Sequence, residues 1–329
     1  MISFICRRII QSILLALIVS FVVFLLLRLV PGDPIHTLIE AEIESMMEGG
    51  GVIDPDVLEE MRARLIAYHG LDRPVLIQYF DWLGRMVRLD FGTSIVRGFD
   101  IVSEVRPRLA VSLYLGAISL TVTLIFGILF GTIAAVRNGT FIDNIVTSLS
   151  NFGMTVPGFL IAILLIYFFG FVLGWLPIWG FSPPWRGDTL LSIRQTILPT
   201  LTTALPGIAA LSRITRSTML DVLNADHVRT AWAKGMREKA VIFGHVLKNG
   251  LMPIVSGLGA MIAAMFGGSI IVETIFNVPG VGQLLVTAML SLDYTVIQAV
   301  TVLMTFIIVF SNMIVDILYG WVDPRIQYS

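Results

Sequence analysis

The sequence predicts an all-α membrane protein with six transmembrane helices and a small extracytoplasmic subdomain between the first and the second. Three observations carry that expectation. Of 329 residues, 56% are hydrophobic and only 14% are charged, with a mean hydropathy of +0.87, whereas a soluble domain carries about 25% charged residues. Apolar runs long enough to cross a hydrocarbon core, about 20 residues each, recur along the chain. Lysine and arginine collect on alternate short connections between those runs, as the positive-inside rule requires, while the arginine-bearing stretch 31–108 exceeds the loop length over which that rule operates.

Ile9–Val30 is the first span. Arg7 and Arg8 precede it as they would precede a signal peptide, but the run is too long for a signal core and no small-residue cleavage site follows. It reads as a membrane anchor, with Arg28 near its outer end able to snorkel. A polar stretch, 31–108, follows. In it Glu40, Glu42, Glu44 and Glu48 precede Gly49-Gly50-Gly51, and Pro55 to Ala67 reads as a helix with Asp54 as its N-cap. The alternative for Glu40–Gly51 is a disordered acidic loop.

Leu109–Val136, Ile145–Leu173, Ile197–Met219, Gly250–Phe276 and Val296–Tyr319 are the second to sixth spans. Pro199, Pro206 and Gly207 interrupt the fourth, which calls for a place inside a bundle where neighbours satisfy the freed backbone groups. Gly127 with Gly131, Gly170 with Gly174, and Ala260, Ala264 and Gly268 have the spacing that lets helices approach closely. The chain divides on this reading into 1–30, 31–108 and 109–329, the last containing a polar insert over 220–250.

With the N-terminus inside, Arg7, Arg8, Arg137, Arg213, Arg216, Arg229, Lys234, Arg237, Lys239, Lys248 and Arg325 all fall on the cytoplasmic side, and both termini lie there. The longest cytoplasmic insert is Asp221–Pro253. Ala225, Val228, Ala231 and Trp232 share one helical face, and Asp226, Arg229, Thr230 and Lys234 the other. Gly235 reads as a helix stop. A second helix is expected from Glu238 to Lys248, with Ile242, Val246 and Leu247 as its apolar stripe. The stretch is an amphipathic helix, a glycine and a helix, held just outside a membrane for a partner or for the lipid surface itself.

Much chemistry is missing. Lys234, Lys239 and Lys248 are the only lysines, and none is followed by Ser or Thr, so the chain has no Walker A loop. His36, His69, His227 and His245 make no ligand pair, and Cys6 is the only cysteine, which argues against a zinc site and excludes an intrachain disulfide. A net charge of −1 without a basic aromatic patch gives no sign of nucleic acid as a partner. Glu273 and Asp316 lie near span ends, where a solvated or capping role is favoured over a proton relay. Asn138-Gly139-Thr140 has the form of a glycosylation acceptor but falls on the cytoplasmic side.

Asp226-His-Val-Arg-Thr-Ala-Trp-Ala-Lys-Gly235, followed by His245, Leu247, Asn249 and Pro253, resembles the cytoplasmic signature of permease subunits of ABC importers. In the general E-A-A-x-x-x-G pattern Arg229 and Thr230 stand where Glu and Ala would, while Ala231 and Gly235 match. Those departures, and the longer distance to Pro253, are similar to the B-subunit type of the dipeptide/oligopeptide/nickel branch. Further matches run the length of the chain. They are Arg7-Arg8, Pro31-Gly32-Asp33-Pro34, Gly70-Leu71-Asp72-Arg73-Pro74, Asp90-Phe91-Gly92-Thr93-Ser94, Glu273-Thr274-Ile275-Phe276 with Pro279-Gly280-Val281-Gly282, Asp316-Ile317-Leu318-Tyr319-Gly320, and Asp323-Pro324-Arg325. The acidic Glu40–Gly51 stretch departs from the family as an insertion.

The resemblance implies a type I ABC importer permease fold in a bacterial or archaeal cytoplasmic (inner) membrane. It implies a second homologous permease subunit, two ATP-binding subunits and an extracytoplasmic solute-binding protein as partners, besides the lipid bilayer. ATP and Mg would sit on the partner subunits, with no cofactor, metal or catalytic residue on this chain. Asp226, Val228, Arg229, Thr230, Ala231, Trp232, Lys234 and Gly235 would couple it to an ATPase subunit, and no substrate-binding residue is assigned. Di- or oligopeptides lead as substrates, with nickel complexes, glutathione and opine- or sugar-like solutes as alternatives. A membrane scaffold recruiting a cytoplasmic protein, or a self-sufficient secondary carrier, would be the rival classes.

Overall fold

The computed structural model of the chain describes residues 2–29, 39, 59–60, 63–64, 66–67, 72–185 and 187–322. The expected helix Pro55–Ala67 lies mostly outside these residues, as do the Glu40–Gly51 insertion, Pro31–Pro34 and Asp323–Arg325. Helices, in order, are α1 (Ile2–Leu29), α2 (Val75–Val87), α3 (Ile101–Val136), α4 (Phe141–Thr155), α5 (Gly158–Leu165, continuing as a π-helical stretch Ile166–Val172), α6 (Thr189–Leu223), α7 (Asp226–Ala233), α8 (Glu238–Val241), α9 (Met252–Ile275), α10 (Val281–Leu290) and α11 (Tyr294–Val322). Among the described residues five helices are long and apolar enough to cross a membrane, or six if the bent pair α4–α5 is one span.

Two expectations about where spans break are reversed. The third span is not one helix: α4 and α5 meet at 107°. Val156 (ψ 126°) and Pro157 (φ −59°, ψ 139°) are both extended there, because a proline ring disfavours the helical region for the residue before it. The fourth span, by contrast, runs unbroken through Pro199 and Pro206. A proline inside a helix costs about 3 kcal/mol, and here tertiary packing offsets it. Forty-four percent of the most apolar window of α6 is buried, against 17–22% for the other single-helix spans. Thr202 and Thr203 donate their hydroxyls to the carbonyls of Leu198 (2.9 Å) and Pro199 (3.0 Å), and Thr123 of α3 reaches the carbonyl of Ala204 at 3.4 Å.

The chain forms two compact units, Met1–Ser12 with Ala110–Gln283 and Ile307–Ser329, and Ile13–Leu109 with Leu284–Phe306. In the first, the glycine spacing on α3 acts as expected. A Cβ on Gly127 would stand 2.8 Å from Leu211, and one on Gly131 would stand 2.5 Å from Thr215 and 2.6 Å from the carbonyl of Ser212. The other two stripes differ. Gly170 packs on Ile178 of the following loop, and Gly174 (φ +61°) serves as a turn residue. Ala260, Ala264 and Gly268 of α9 are exposed in this chain, and Gly268 has no neighbour where a Cβ would be. Arg216 of α6 clamps Asp143 of α4 through Nε (2.6 Å) and Nη2 (2.8 Å), and Asp143 also accepts from the Gly139 amide at 2.9 Å. Asp316 pairs with Arg8 at 3.0 Å in a half-exposed setting, where such a bridge adds little.

Glu273 has the expected capping role but is not solvated: it is 0% exposed. One carboxylate oxygen accepts the hydroxyls of Ser112 (2.7 Å) and Ser269 (2.8 Å), and the other accepts the amides of Gly282 (2.7 Å) and Gln283 (3.2 Å). Ser112 in turn accepts from the amide of Val281 at 2.9 Å. Four donors fill the acceptor capacity of a carboxylate, and the negative group sits at the positive end of α10. A Cβ on Gly280 or Gly282 would collide with Glu273, which is why glycines flank Val281.

In the second unit, Phe24, Tyr79, Trp82, Met86 and Val302 form the core, and Tyr79 shares a 2.9 Å hydrogen bond with Ser20 of α1. Asp293, 2% exposed, accepts from the amide of Val296 at 3.3 Å and from the hydroxyl of Ser94. It caps α11 and ties it to the 90–100 loop.

Replacing Glu273 with Ala strips two amides and two hydroxyls of their acceptor. Thermal unfolding of the purified chain in detergent should show a loss of about 3 kcal/mol, and an unchanged melting temperature would contradict the role given to this carboxylate.

Candidate functional site

The stretch Asp221–Pro253 is mounted on the end of α6. That helix stops at Leu223, the amide side chain of Asn224 donating back to the carbonyl of Leu220 (3.0 Å). Ala225 turns extended (ψ 147°), and α7 begins at Asp226. Its end is a Schellman motif. The Gly235 amide donates to the Trp232 carbonyl (2.9 Å) and the Met236 amide to that of Ala231 (3.4 Å), with Gly235 at φ +72°. Met236 and Ala231 belong to one apolar cluster, the contact that accompanies this motif. The sequence reading of Gly235 as the stop therefore matches the geometry.

The second helix starts at Glu238, but only its first turn is α-helical. Ile242–Leu247 winds as a π-helix, and Lys248–Gly250 returns to α. A π turn closes i to i+5, so Val241 and Val246 share the inner face, both 0% exposed. Ile242 and Val246 are buried as expected, whereas Val241 escaped a reading made at a period of 3.6. Thr218 of α6 donates to the Gly250 carbonyl at 3.0 Å, closing the stretch against its own root.

The eight candidate residues separate into two groups. Val228 (0%) and Ala231 (5%) are buried with Ala135 of α3, Met219 of α6, and Val241, Ile242 and Val246. They mount the loop and cannot themselves touch a partner. Trp232, assigned by periodicity to the same face, is 42% exposed. The cluster is filled before it reaches position 232, leaving the indole on the rim. Asp226, Arg229, Thr230, Lys234 and Gly235 are exposed too. Arg229 and Asp226 approach to 3.9 Å with side chains 70% and 100% exposed, and the Thr230 hydroxyl is engaged by the Asp226 carbonyl (2.9 Å). The outer surface is thus an indole and, further on, the exposed ring of Phe243, among charges that are mostly positive: Arg237, Lys239 and Lys248 are also exposed, around Glu238.

Among the described residues no group of His, Cys, Asp and Glu could hold a metal ion, and Cys6 is exposed and free. The sequence offers Glu273 a solvated or capping role, but places Ser94, Gly280 and Gly282 only within family motifs. Ser94 bonds Asp293 across 199 residues and Ser112 bonds Glu273 across 161, so no local pattern announced those two contacts. The Asp143–Arg216 clamp was missed for the same reason.

Residues 127–328 match the family described as binding-protein-dependent transport system inner membrane component, and residues 1–95 match its N-terminal companion. The chain is 39% identical to the oligopeptide transport system permease protein AppB of Bacillus subtilis, covering 100% of both chains. It is 37% identical to the "Probable peptide ABC transporter permease protein y4tP" of Sinorhizobium fredii, over 99% of each. Identity to the glutathione transport system permease protein GsiC of Escherichia coli is 35%, again over 100% of both.

Two substitutions separate mounting from contact. Val228→Ala should lower stability by about 1–2 kcal/mol through the cavity it leaves. Trp232→Ala should leave thermal unfolding of the isolated chain unchanged, since the indole is on the rim. A large destabilisation by Trp232→Ala would place that side chain in the core instead.

Proposed function

The chain belongs to the family of binding-protein-dependent transport system inner membrane components, and from that membership we propose that it is one of two permease subunits of an ATP-driven importer of peptides. It is a multi-pass inner membrane protein. The observation that carries the peptide reading is full-length identity to relatives named for peptide, oligopeptide and glutathione transport, glutathione being itself a small peptide. A second, homologous permease supplies the other half of the pathway, and a solute-binding protein delivers substrate from outside. Both termini and the Asp221–Pro253 stretch face the cytoplasm, which the lysine and arginine distribution supports.

In this reading two ATP-binding subunits hold ATP and Mg, and this chain binds neither. One of them receives α7. Trp232 enters an apolar slot, Arg229 and Lys234 meet acidic side chains, and Asp226, Thr230 and Gly235 complete the contact. Val228 and Ala231 work from beneath. They join α7 to Ala135 of α3 and Met219 of α6, so displacement of the docked helix is carried into two spans as a rigid body. Apolar packing of this kind transmits a push because its void space is small, whereas a loop on flexible tethers would absorb it.

Reconstitution tests the assignment. Liposomes containing this chain, the second permease, the ATPase subunits and the binding protein should accumulate labelled di- or oligopeptide only with ATP. Uptake by this chain alone, without ATPase subunits, would identify a secondary carrier and overturn the proposal. Gly235 gives a finer test. Gly235→Asp should leave insertion intact and reduce uptake, because a negative charge enters the turn that meets the ATPase subunit at a left-handed backbone position. Gly235→Asn, which keeps a residue that tolerates φ > 0, should retain more uptake than Gly235→Ala. Normal uptake by Gly235→Asp would remove the turn from the coupling path.

A further inference from the structure

We propose that a groove in the second unit, at the start of α3, holds a segment of one acyl chain of an anionic phospholipid, with Arg106 binding the lipid phosphate. The groove has a volume of about 170 Å³ and is lined by Phe91 of the 90–100 loop, by Val105 and Leu109 of α3, and by Ala299 and Leu303 of α11, with Arg106 as its charged residue. Its apolar lining matters in a bilayer. An apolar cavity of about 150 Å³ stays dry and accepts an apolar guest, and the guest at hand around a spanning helix is a lipid chain.

The depth of the groove selects which part of the lipid it meets. Glu104, Arg106 and Arg108 occupy the turn immediately before Leu109, where the apolar run of α3 begins, so the groove straddles the boundary between headgroups and hydrocarbon. Charge selects the headgroup. Arg108 is engaged by Glu104 through Nε (2.8 Å) and Nη2 (2.6 Å). Arg106, exposed on the same turn, has no ion pair or hydrogen bond from its side chain among the described residues. A guanidinium offers a planar fork of donors that matches a phosphate. An arginine at this depth that served only as an interfacial anchor would need no groove beside it.

The test is native mass spectrometry of the full chain in non-ionic detergent, titrated with phosphatidylglycerol or phosphatidylcholine. The wild-type chain should retain one phosphatidylglycerol in preference to phosphatidylcholine. Arg106→Gln should lower that retention at least fivefold, and Ala299→Phe, which fills the groove, should abolish it. Arg97→Gln, an exposed arginine away from the groove, should behave as wild type. Unchanged retention in both Arg106→Gln and Ala299→Phe would overturn the proposal. Loss in Arg106→Gln with full retention in Ala299→Phe would also overturn it, by showing a bare phosphate contact without an acyl chain. Arg106→Gln alters an exposed side chain, so the comparison with Arg97→Gln stands even if the larger residue at 299 prevents folding.

Discussion

The close approach of α3 and α6 is the contact on which the rest depends. Gly127 and Gly131 admit Leu211, Thr215 and the Ser212 carbonyl to distances that a single methyl group would forbid. Because the helices meet there, their ends lie together, and Ala135 and Met219 can share one apolar cluster with the inner faces of α7 and α8. The Asp221–Pro253 stretch is therefore not a loop between two spans but an extension of a packed pair. The same contact explains why α6 tolerates two prolines, since van der Waals packing against several neighbours outweighs two lost backbone hydrogen bonds.

A chain with so few charges uses its buried acids in one way. Glu273, Asp293 and Asp143 each accept backbone amides at a helix start or turn together with side-chain donors from another element. In hydrocarbon an orphaned amide costs several kcal/mol, and a carboxylate offering four acceptor sites can relieve several at once while fixing one element against another. These acids are joints of the scaffold.

The Asp221–Pro253 stretch follows a division of labour that the geometry makes plain. Apolar residues at 228, 231, 241 and 246 hold it, and the indole at 232 with the charges around it faces outward. Gly235 occupies a left-handed position with open space around it, so the constraint there comes from the backbone and not from crowding. The chain meets the same demand elsewhere with non-glycine residues, Leu89, Asn277 and Leu292 (φ 60°, 51° and 53°), each at a helix end closed in the same manner.

The sequence by itself determined the spans, the amphipathic stretch between the fourth and fifth, the stop at Gly235 and the family, because length, periodicity and short motifs are local properties. It misjudged which span would break. Pro157 breaks the third span because its ring keeps Val156 out of the helical region, whereas burial keeps α6 helical through Pro199 and Pro206. It grouped Trp232 with Val228 because a helical wheel gives direction but not the extent of the surface beneath. It could not see that Val241 turns inward, since the π winding belongs to the packed state. Above all, it could not join Ser112 to Glu273 or Ser94 to Asp293. A buried carboxylate is specified by its donors, and donors 161 and 199 residues away are brought to it only by the tertiary fold.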